Sequence, residues 1–387
     1  MNSRRIGGRL LRGSRAGISA SVARSRTVRR CHSTVGPSQK PGAAGVRFPG
    51  AVNKMYLNMV KVSIMDVIMV EAQRQGRLSF YMPSQGEEGT CVGSAAALEK
   101  DDVIFSQYRE AGVFMQRGYT LEDFMNQLFA NRKDKGRGRN MPVHYGSKEL
   151  KIHCISSPLA TQIPHASGAA YAFEDATAVE SVASSPSPAT RSCPVIFICR
   201  NNGYAISTPT LEQYRGDGIA SRGTGYGIDT IRVDGNDIWA VLQVTRRARE
   251  LALKDGGRPV LIEAMSYRIS HHSTSDDSFA YRARIEVEDW KRRDNPITRL
   301  RKYLERKGVW DEAREIDVRT KIKKDVLRAL GDAEKEKKPP IKSMFEDVYK
   351  EMTPELRHQM NELRSVMEEY PEEYDVGEFE GGSASLK

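Results

Sequence analysis

Apolar residues recur along the chain in two rhythms. Short unbroken runs bounded by polar residues predict buried strands at Val103–Phe105, Val195–Ile198, Ile231–Val233 and Val260–Ala264, with Val195–Ile198 buried on both faces. Apolar positions near helical spacing predict helices over Met55–Arg77, Ser94–Leu98, Leu121–Asn131, Ile238–Leu253, Ile297–Lys307, Trp310–Lys337 and Pro354–Tyr370. The first of these is rich in methionine (Met59, Met65, Met69), which reads as adaptable core or subunit packing. Strand 231–233, helix 238–253, a Gly256-Gly257 stop and strand 260–264 make one βαβ unit, with Asp234-Gly235-Asn236-Asp237 as its turn and helix cap. The order of elements is that of an α/β protein with a helical C-terminal region. Met55 to Tyr370 is long enough for one large domain or two small ones, and no repeat is visible.

Polar clusters stand where the strands end. Val195–Ile198 leads into Arg200-Asn201-Asn202-Gly203-Tyr204, and in open α/β sheets ligands sit beyond the carboxyl ends of strands. Arg200 can reach a phosphate, an Asn oxygen can ligate Mg²⁺ and Gly203 lets backbone come close; a plain Asn-Gly turn is the alternative. Val103–Phe105 is likewise followed by Gln107-Tyr108-Arg109-Glu110, whose last two residues by themselves read as a surface ion pair. Ser156, Ser157, Thr161 and Gln162 surround Pro158. That oxygen-rich group suits a hard cation or a cofactor ring, and it equally suits a helix start with Ser157 before Pro158 at the first helical position. The pair His271-His272 has no third ligand at zinc spacing and lies in a polar, unpatterned loop, 269–279.

Composition changes the picture mainly at the ends. Residues 1–30 hold nine arginines among Leu, Ile, Ala and Ser, and the first acid of the chain is Asp66, so residues 1–40 read as a mitochondrial transit peptide rather than a nucleic-acid arm. Without that segment the 60 Lys+Arg against 50 Asp+Glu fall to an even 50 and 50, so the basic balance says nothing about a nucleic-acid partner. Residues 41–54 read as a flexible linker, Arg132–Arg139 as a mobile basic run, and 376–387 as a disordered tail. No stretch is long and apolar enough to span a bilayer. Five scattered cysteines without a CxxC pair argue against a zinc site or a disulfide framework.

The runs SQYREAG, MPVHYG, ISSPLATQIP, CRNNGYAISTPT, YRGDGIASRG, GYGI, RVDGND, LIEAMSYR and HHSTSDDS together resemble the α subunits of the thiamine-diphosphate-dependent branched-chain 2-oxoacid dehydrogenases, over about Lys54 to Glu372. The HHSTSDD loop favours these over pyruvate or acetoin dehydrogenase α subunits, the alternative within the same chemistry. The resemblance implies a doubly wound, mostly parallel sheet of the thiamine-diphosphate-binding type over residues 55–375, and an α2β2 heterotetramer in the mitochondrial matrix. It implies oxidative decarboxylation of the oxoacids of valine, leucine and isoleucine, with the acyl group passed to the lipoyl arm of a transacylase core. Position by position it makes Gln107, Tyr108, Arg109, Ser157, Leu159, Arg200 and His272 cofactor-binding, with His272 also at the reacting centre. Asn202 and the backbone oxygen of Tyr204 become Mg²⁺ ligands, and Ser156, Pro158, Thr161 and Gln162 a K⁺ loop. Ser273 becomes the site of a dedicated kinase and phosphatase, and Ala283 stands where a second phosphorylated serine would be.

The resemblance breaks over residues 173–192. There the pattern calls for a strand, a Gly-acid-Gly turn that supplies a Mg²⁺ carboxylate, and a helix beneath the cofactor. This chain has FEDATAVESVASSPSPATRS, with no glycine, no strand-like apolar run and a Ser/Pro stretch. Glu174, Asp175 and Glu180 are acids there, but nothing in their setting positions them as ligands. The segment is expected to mark either an altered transcript or a faulty gene prediction, or a non-catalytic subunit that binds its β partner without cofactor.

Overall fold

The computed structural model describes residues 50–174, 193–254 and 257–386. The expected transit peptide, residues 41–49 of the expected linker, and residues 175–192 of the divergent segment lie outside them. In chain order the helices are α1 (Gly50–Arg74), α2 (Glu88–Ala95), α3 (Ala111–Arg117), α4 (Leu121–Leu128), α5 (Gln162–Glu174), α6 (Thr210–Gln213), α7 (Ala220–Gly225), α8 (Ile238–Ala252), α9 (Arg284–Asp294), α10 (Pro296–Arg306), α11 (Glu312–Lys335), α12 (Ser343–Glu346) and α13 (Pro354–Glu369). The strands are β1 (Ile196–Asn201), β2 (Tyr204–Ala205), β3 (Thr208–Pro209), β4 (Asp229–Asp234) and β5 (Val260–Met265).

The long apolar helix α1 buries Met55, Tyr56, Met59, Val62, Met65 and Met69 against α2, α3 and α11. Each such side chain contributes about 1.5–3 kcal/mol by leaving water. One polar node is built into this core: Tyr56 Oη and Trp310 Nε1 donate to Glu315 at 2.7 and 2.9 Å. Because α1 begins at Gly50, residues 50–54 of the expected linker are helical instead.

The main sheet is parallel with strand order β1-β5-β4, Ile196 and Asp229 both registering with Val260. Asp237 caps α8 by accepting from the N–H groups of Trp239 and Ala240, and α8 lays Val241, Ala248 and Ala252 over Val233, Val260, Ile262 and Ala264. This is the expected βαβ unit, and its parallel strands place every carboxyl end on one side.

Three expectations need correction. β1 is half-buried throughout rather than buried on both faces, because it is the edge of the sheet among the described residues. Among the described residues Val103–Phe105 makes a single bridge, Ile104 to Ile152, before the chain turns away into 106–110. The helix expected to begin at Pro158 begins at Gln162, since Ala160 takes a left-handed φ of 64° that no helix can include. Between β1 and the Ile104 bridge lies a cavity of 1540 Å³, lined among others by Phe105, Gln107, Ile152, Phe197 and Cys199.

The C-terminal segment also departs from expectation. Residues 376–386 are ordered: Leu386 is buried with Ile341, Phe345 and Met367, Val376 and Phe379 pack on them, and Phe379 bridges Lys338. Scattered apolar residues in an acidic, Gly-rich tail are enough to anchor it. The basic run 132–139 is pinned to this region, with Arg132 on Glu336 and Glu380 and Arg137 on Asp347. Each exposed pair is worth at most about 1 kcal/mol, so it is their number that holds the loop. No described helix is long and apolar enough to cross a membrane.

Candidate functional site

The site grows from the carboxyl end of β1. Asn201 closes the strand, Asn202 turns it, and Gly203 adopts a φ of 88° that opens the way to the β2–β3 hairpin. Arg200 points its guanidinium into the protein, where its side chain is 15% exposed. One terminal nitrogen donates to the Glu87 carboxylate and the other to Glu110 Oε1 at 2.7 Å. Burial works against the charge of Arg200, but Glu110 and Glu87 outweigh it and hold the group firmly protonated. Asn202 Nδ2 donates to the other oxygen of Glu87 at 2.8 Å, and Asn202 Oδ1 accepts from the Tyr204 N–H at 3.3 Å.

Glu87 sits immediately before α2, held there by the turn at Gly86. That glycine has a φ of 97°, and a Cβ on it would meet the Tyr267 carbonyl oxygen at 2.0 Å, so only glycine fits. The next residue, Glu88, is fully enclosed. Burial pushes its carboxyl up to about 8, although its own N–H and that of Gly86 stabilise the charged form.

The turn after the Ile104 bridge supplies the second wall. Arg109 is 3% exposed; it donates to the carbonyls of Pro83 and His272 and, at 3.1 Å, to His272 Nδ1. Accepting at Nδ1 puts the proton of a neutral His272 on Nε2. Burial, then the charges of Arg109 and Arg268, bring His272 down to about 4, so the neutral form dominates at physiological pH. Tyr108 packs edge-on to this ring at 6.3 Å. Gln107 is buried, Nε2 donating to the Ser156 carbonyl at 2.8 Å while Oε1 has no partner among the described residues.

The Ser156–Gln162 turn is more open. Ser157 Oγ lies 2.7 Å from His144 Nε2, and His144 Nδ1 donates to the Pro142 carbonyl at 3.0 Å, so the serine is the donor. His144 is aimed by Val143, a β-branched residue held at a φ of 67°, where its N–H reaches Gln127 Oε1 at 3.0 Å. Thr161 Oγ1 donates to the Pro158 carbonyl at 2.8 Å, and Gln162 Oε1 is buried without a partner among the described residues. Leu159 stands 68% exposed.

The loop 269–279 is ordered by two arginines that sequence reasoning missed. Arg282 donates to the carbonyls of 268, 269 and 270, and Arg268 donates to Ile206 O and Tyr281 Oη. Asp276 closes the turn by accepting from the His272 N–H and Tyr281 Oη, both at 2.7 Å. Ser273 is 6% exposed, its Oγ 3.0 Å from Ser275 Oγ.

The structure thus gathers Gln107, Arg109, Arg200, Asn202 and His272 on one side of the sheet, and ties Ser156 to them through Gln107. Glu87 was missed as well; the signal available was an acidic pair, Glu87-Glu88, between two glycines in a stretch otherwise read as loop. Among the described residues no three His, Cys, Asp or Glu side chains are grouped to hold a metal ion.

Parallel βαβ topology with arginines and amides at the strand ends defines a cofactor-binding α/β protein. The chain belongs to the dehydrogenase E1 component family, whose model matches residues 56–184 and 188–342. The gap in that match falls inside the divergent segment. The chain is similar to the mitochondrial 2-oxoisovalerate dehydrogenase α subunits of Caenorhabditis elegans (53% identical over 339 residues, 84% of this chain and 78% of that one) and Mus musculus (54% over 344, 85% and 78%). Against the same subunit of Homo sapiens it is 51% identical over 370 residues, covering 92% of this chain and 82% of the human one.

Proposed function

We propose that this chain is the α subunit of a mitochondrial, thiamine-diphosphate-dependent branched-chain 2-oxoacid dehydrogenase, working with a β subunit in an α2β2 tetramer of the matrix. The observation that carries this reading is the convergence of two buried arginines, Arg109 and Arg200, with Asn202 and a neutral His272 at the end of β1, in a chain about half identical to such subunits. The product acyl group would pass to a lipoyl-bearing transacylase.

The residues fit the cofactor at its diphosphate end. Arg109 and Arg200 would neutralise anionic oxygens, Arg200 keeping further N–H donors beyond the two given to Glu87 and Glu110. Asn202 Oδ1 and the Tyr204 carbonyl would offer oxygen ligands to Mg²⁺, and the unpartnered Gln107 Oε1 a hydrogen-bond acceptor. When bound, thiamine diphosphate supplies the nucleophilic carbon that attacks the 2-oxo group and accepts the electron pair left as CO2 departs. His272 would present its Nε2–H to the developing oxyanion, Arg109 holding the tautomer. Tyr108 would pack beside it, and Ser157 and Leu159 would line the cofactor. The Ser156, Pro158, Thr161 and Gln162 turn would take K⁺, with Gln162 Oε1 as one unused oxygen.

Ser273 is proposed as the target of a regulatory kinase and phosphatase. Its buried hydroxyl means that loop 269–279 must open before it can be modified. A phosphate there would compete with Asp276 and the cofactor for Arg268 and Arg109, and so keep the loop open.

One observation favours a second reading, a subunit that assembles without cofactor: the described residues provide no free carboxylate for Mg²⁺, since Glu87 and Glu110 are both engaged by Arg200. Calorimetric titration of thiamine diphosphate with Mg²⁺ into the co-expressed α2β2 tetramer separates the two. Micromolar or tighter binding is expected; a folded tetramer with no detectable binding would establish the second reading.

A further inference from the structure

We infer that Glu87 is the positioning residue of the metal-binding turn, setting which end of the Asn202 amide faces the metal and where Arg200 stands; this rests on the cofactor reading above. Glu87 is 0% exposed at its side chain, and it lies 115 residues from Asn202 in sequence, so the contact is made by the fold alone.

An amide has two nearly isosteric ends, one that donates and one that accepts. A carboxylate only accepts. Glu87 Oε1, 2.8 Å from Asn202 Nδ2, therefore obliges the amide nitrogen to face Glu87 and turns Oδ1 away from it, where Oδ1 accepts from the Tyr204 N–H at 3.3 Å and keeps a second lone pair. An oxygen with a lone pair to give is what a hard cation needs; an NH2 in its place would repel it. The same carboxylate takes a charge-assisted bond from Arg200 through its second oxygen, so the phosphate-facing cation and the metal-facing oxygen are registered against one rigid group. Gly86 and the start of α2 fix that group in turn. Glu110, the other partner of Arg200, makes no bond to Asn202 and serves as the internal control.

The test is calorimetric binding of thiamine diphosphate to the α2β2 tetramer at varied Mg²⁺. Glu87→Gln is expected to raise the half-saturating Mg²⁺ about 10- to 100-fold, the scale on which groups behind a metal ligand act. Glu110→Gln should change it less than about 3-fold, well below that scale. Asn202→Asp, which sets two carboxylates against each other, should also weaken Mg²⁺ binding. The double variant Glu87→Gln/Asn202→Asp exchanges the two groups, restores a donor and an acceptor across the contact, and is expected to recover most of the loss. Because the double variant keeps the buried pair satisfied, it decides the matter even if a single variant fails to fold. Equal effects of the Glu87 and Glu110 changes, or a double variant no better than the worse single, would overturn the assignment. Absence of binding by the unaltered tetramer would overturn the cofactor reading itself, and the role of Glu87 with it.

Discussion

The buried carboxylates of Glu87 and Glu263 both hold the end of β1, the first through Arg200 and Asn202 and the second through Asn201, yet their surroundings differ in kind. Glu263, in the middle of β5, accepts from Asn201 Nδ2, Arg232 Nε and the N–H groups of Ile219 and Ala220, all at 2.9–3.0 Å. Burial alone would raise its carboxyl, but those four donors outweigh it and keep it below the usual range. Glu87 has two donors, Arg200 and Asn202, and both are side chains from the end of β1. A buried acid with four donors, two of them backbone, closes a loop onto the sheet. One whose two donors are both side chains of the candidate site aims them. The neighbouring Glu88 is a third case, enclosed with too few donors, and burial leaves it protonated at neutral pH.

The largest expected effect follows from the closed set. Glu263→Ala leaves the N–H groups of Ile219 and Ala220 without their acceptor and takes one partner each from Asn201 and the partly exposed Arg232, which keeps Asp217, and should cost about 3 kcal/mol in urea unfolding. If unfolding is unchanged, Glu263 is not the structural member of the pair. Next comes Arg109→Lys, which cannot reach Pro83 O, His272 O and His272 Nδ1 together. Thiamine diphosphate affinity should fall about 10- to 100-fold, and the lost bonds should cost about 1–3 kcal/mol in the same unfolding measurement.

Glu88 gives a smaller effect with a definite sign. Its folded value of about 8 lies above the ordinary 4.5, so the unfolded chain releases the proton first, and stability falls as pH rises between those values. Glu88→Gln removes that slope and should be the more stable form by about 1–2 kcal/mol at pH 7.5 relative to pH 6. A wild-type melting temperature independent of pH across that range would refute the enclosed neutral acid. The smallest effect is at His272. Its folded value of about 4 lies below the ordinary 6.5, so its contribution to stability is present above 6.5 and lost as pH falls toward 4. Arg109→Met should raise its titration toward the ordinary value, followed by NMR of labelled histidine; no movement would mean that burial and Arg268 set it without Arg109.

Most of the scaffold was legible because its signals are local. The βαβ unit, α1, α4, α10, α11 and α13 follow from periodicity within single segments, and the ends observed differ by a few residues. What was misread depends on neighbours. Val103–Phe105 has the composition of a strand and, among the described residues, lacks a partner on either side long enough to make one. β1 is as apolar as a central strand and stands at the edge of the sheet among the described residues. The tail beyond Tyr374 looks like a disordered polymer until Val376, Phe379 and Leu386 find the surface of α13 and the 341–345 turn.

The site divides in the same way. Gln107, Arg109, Arg200 and Asn202 announce themselves as polar residues after short apolar runs, and His272 as part of a polar loop, all in runs shared with a known family. Glu87, Arg268 and Arg282 do not, because a loop glutamate or arginine has no local signature that separates a solvated face from a buried contact. Glu87 becomes informative only when Arg200 and Asn202, 113 and 115 residues away, are folded onto it.

By itself the sequence determined most of the element types, the family, and the inventory of polar groups gathered at the candidate site, since these depend on periodicity and residue identity. The tertiary structure alone decided which of those groups are buried, which nitrogen of His272 carries its proton, and which way Asn202 faces. Each of these depends on the hydrogen-bond partner at the far end of a long-range contact, and in a low-dielectric interior that partner fixes charge and orientation.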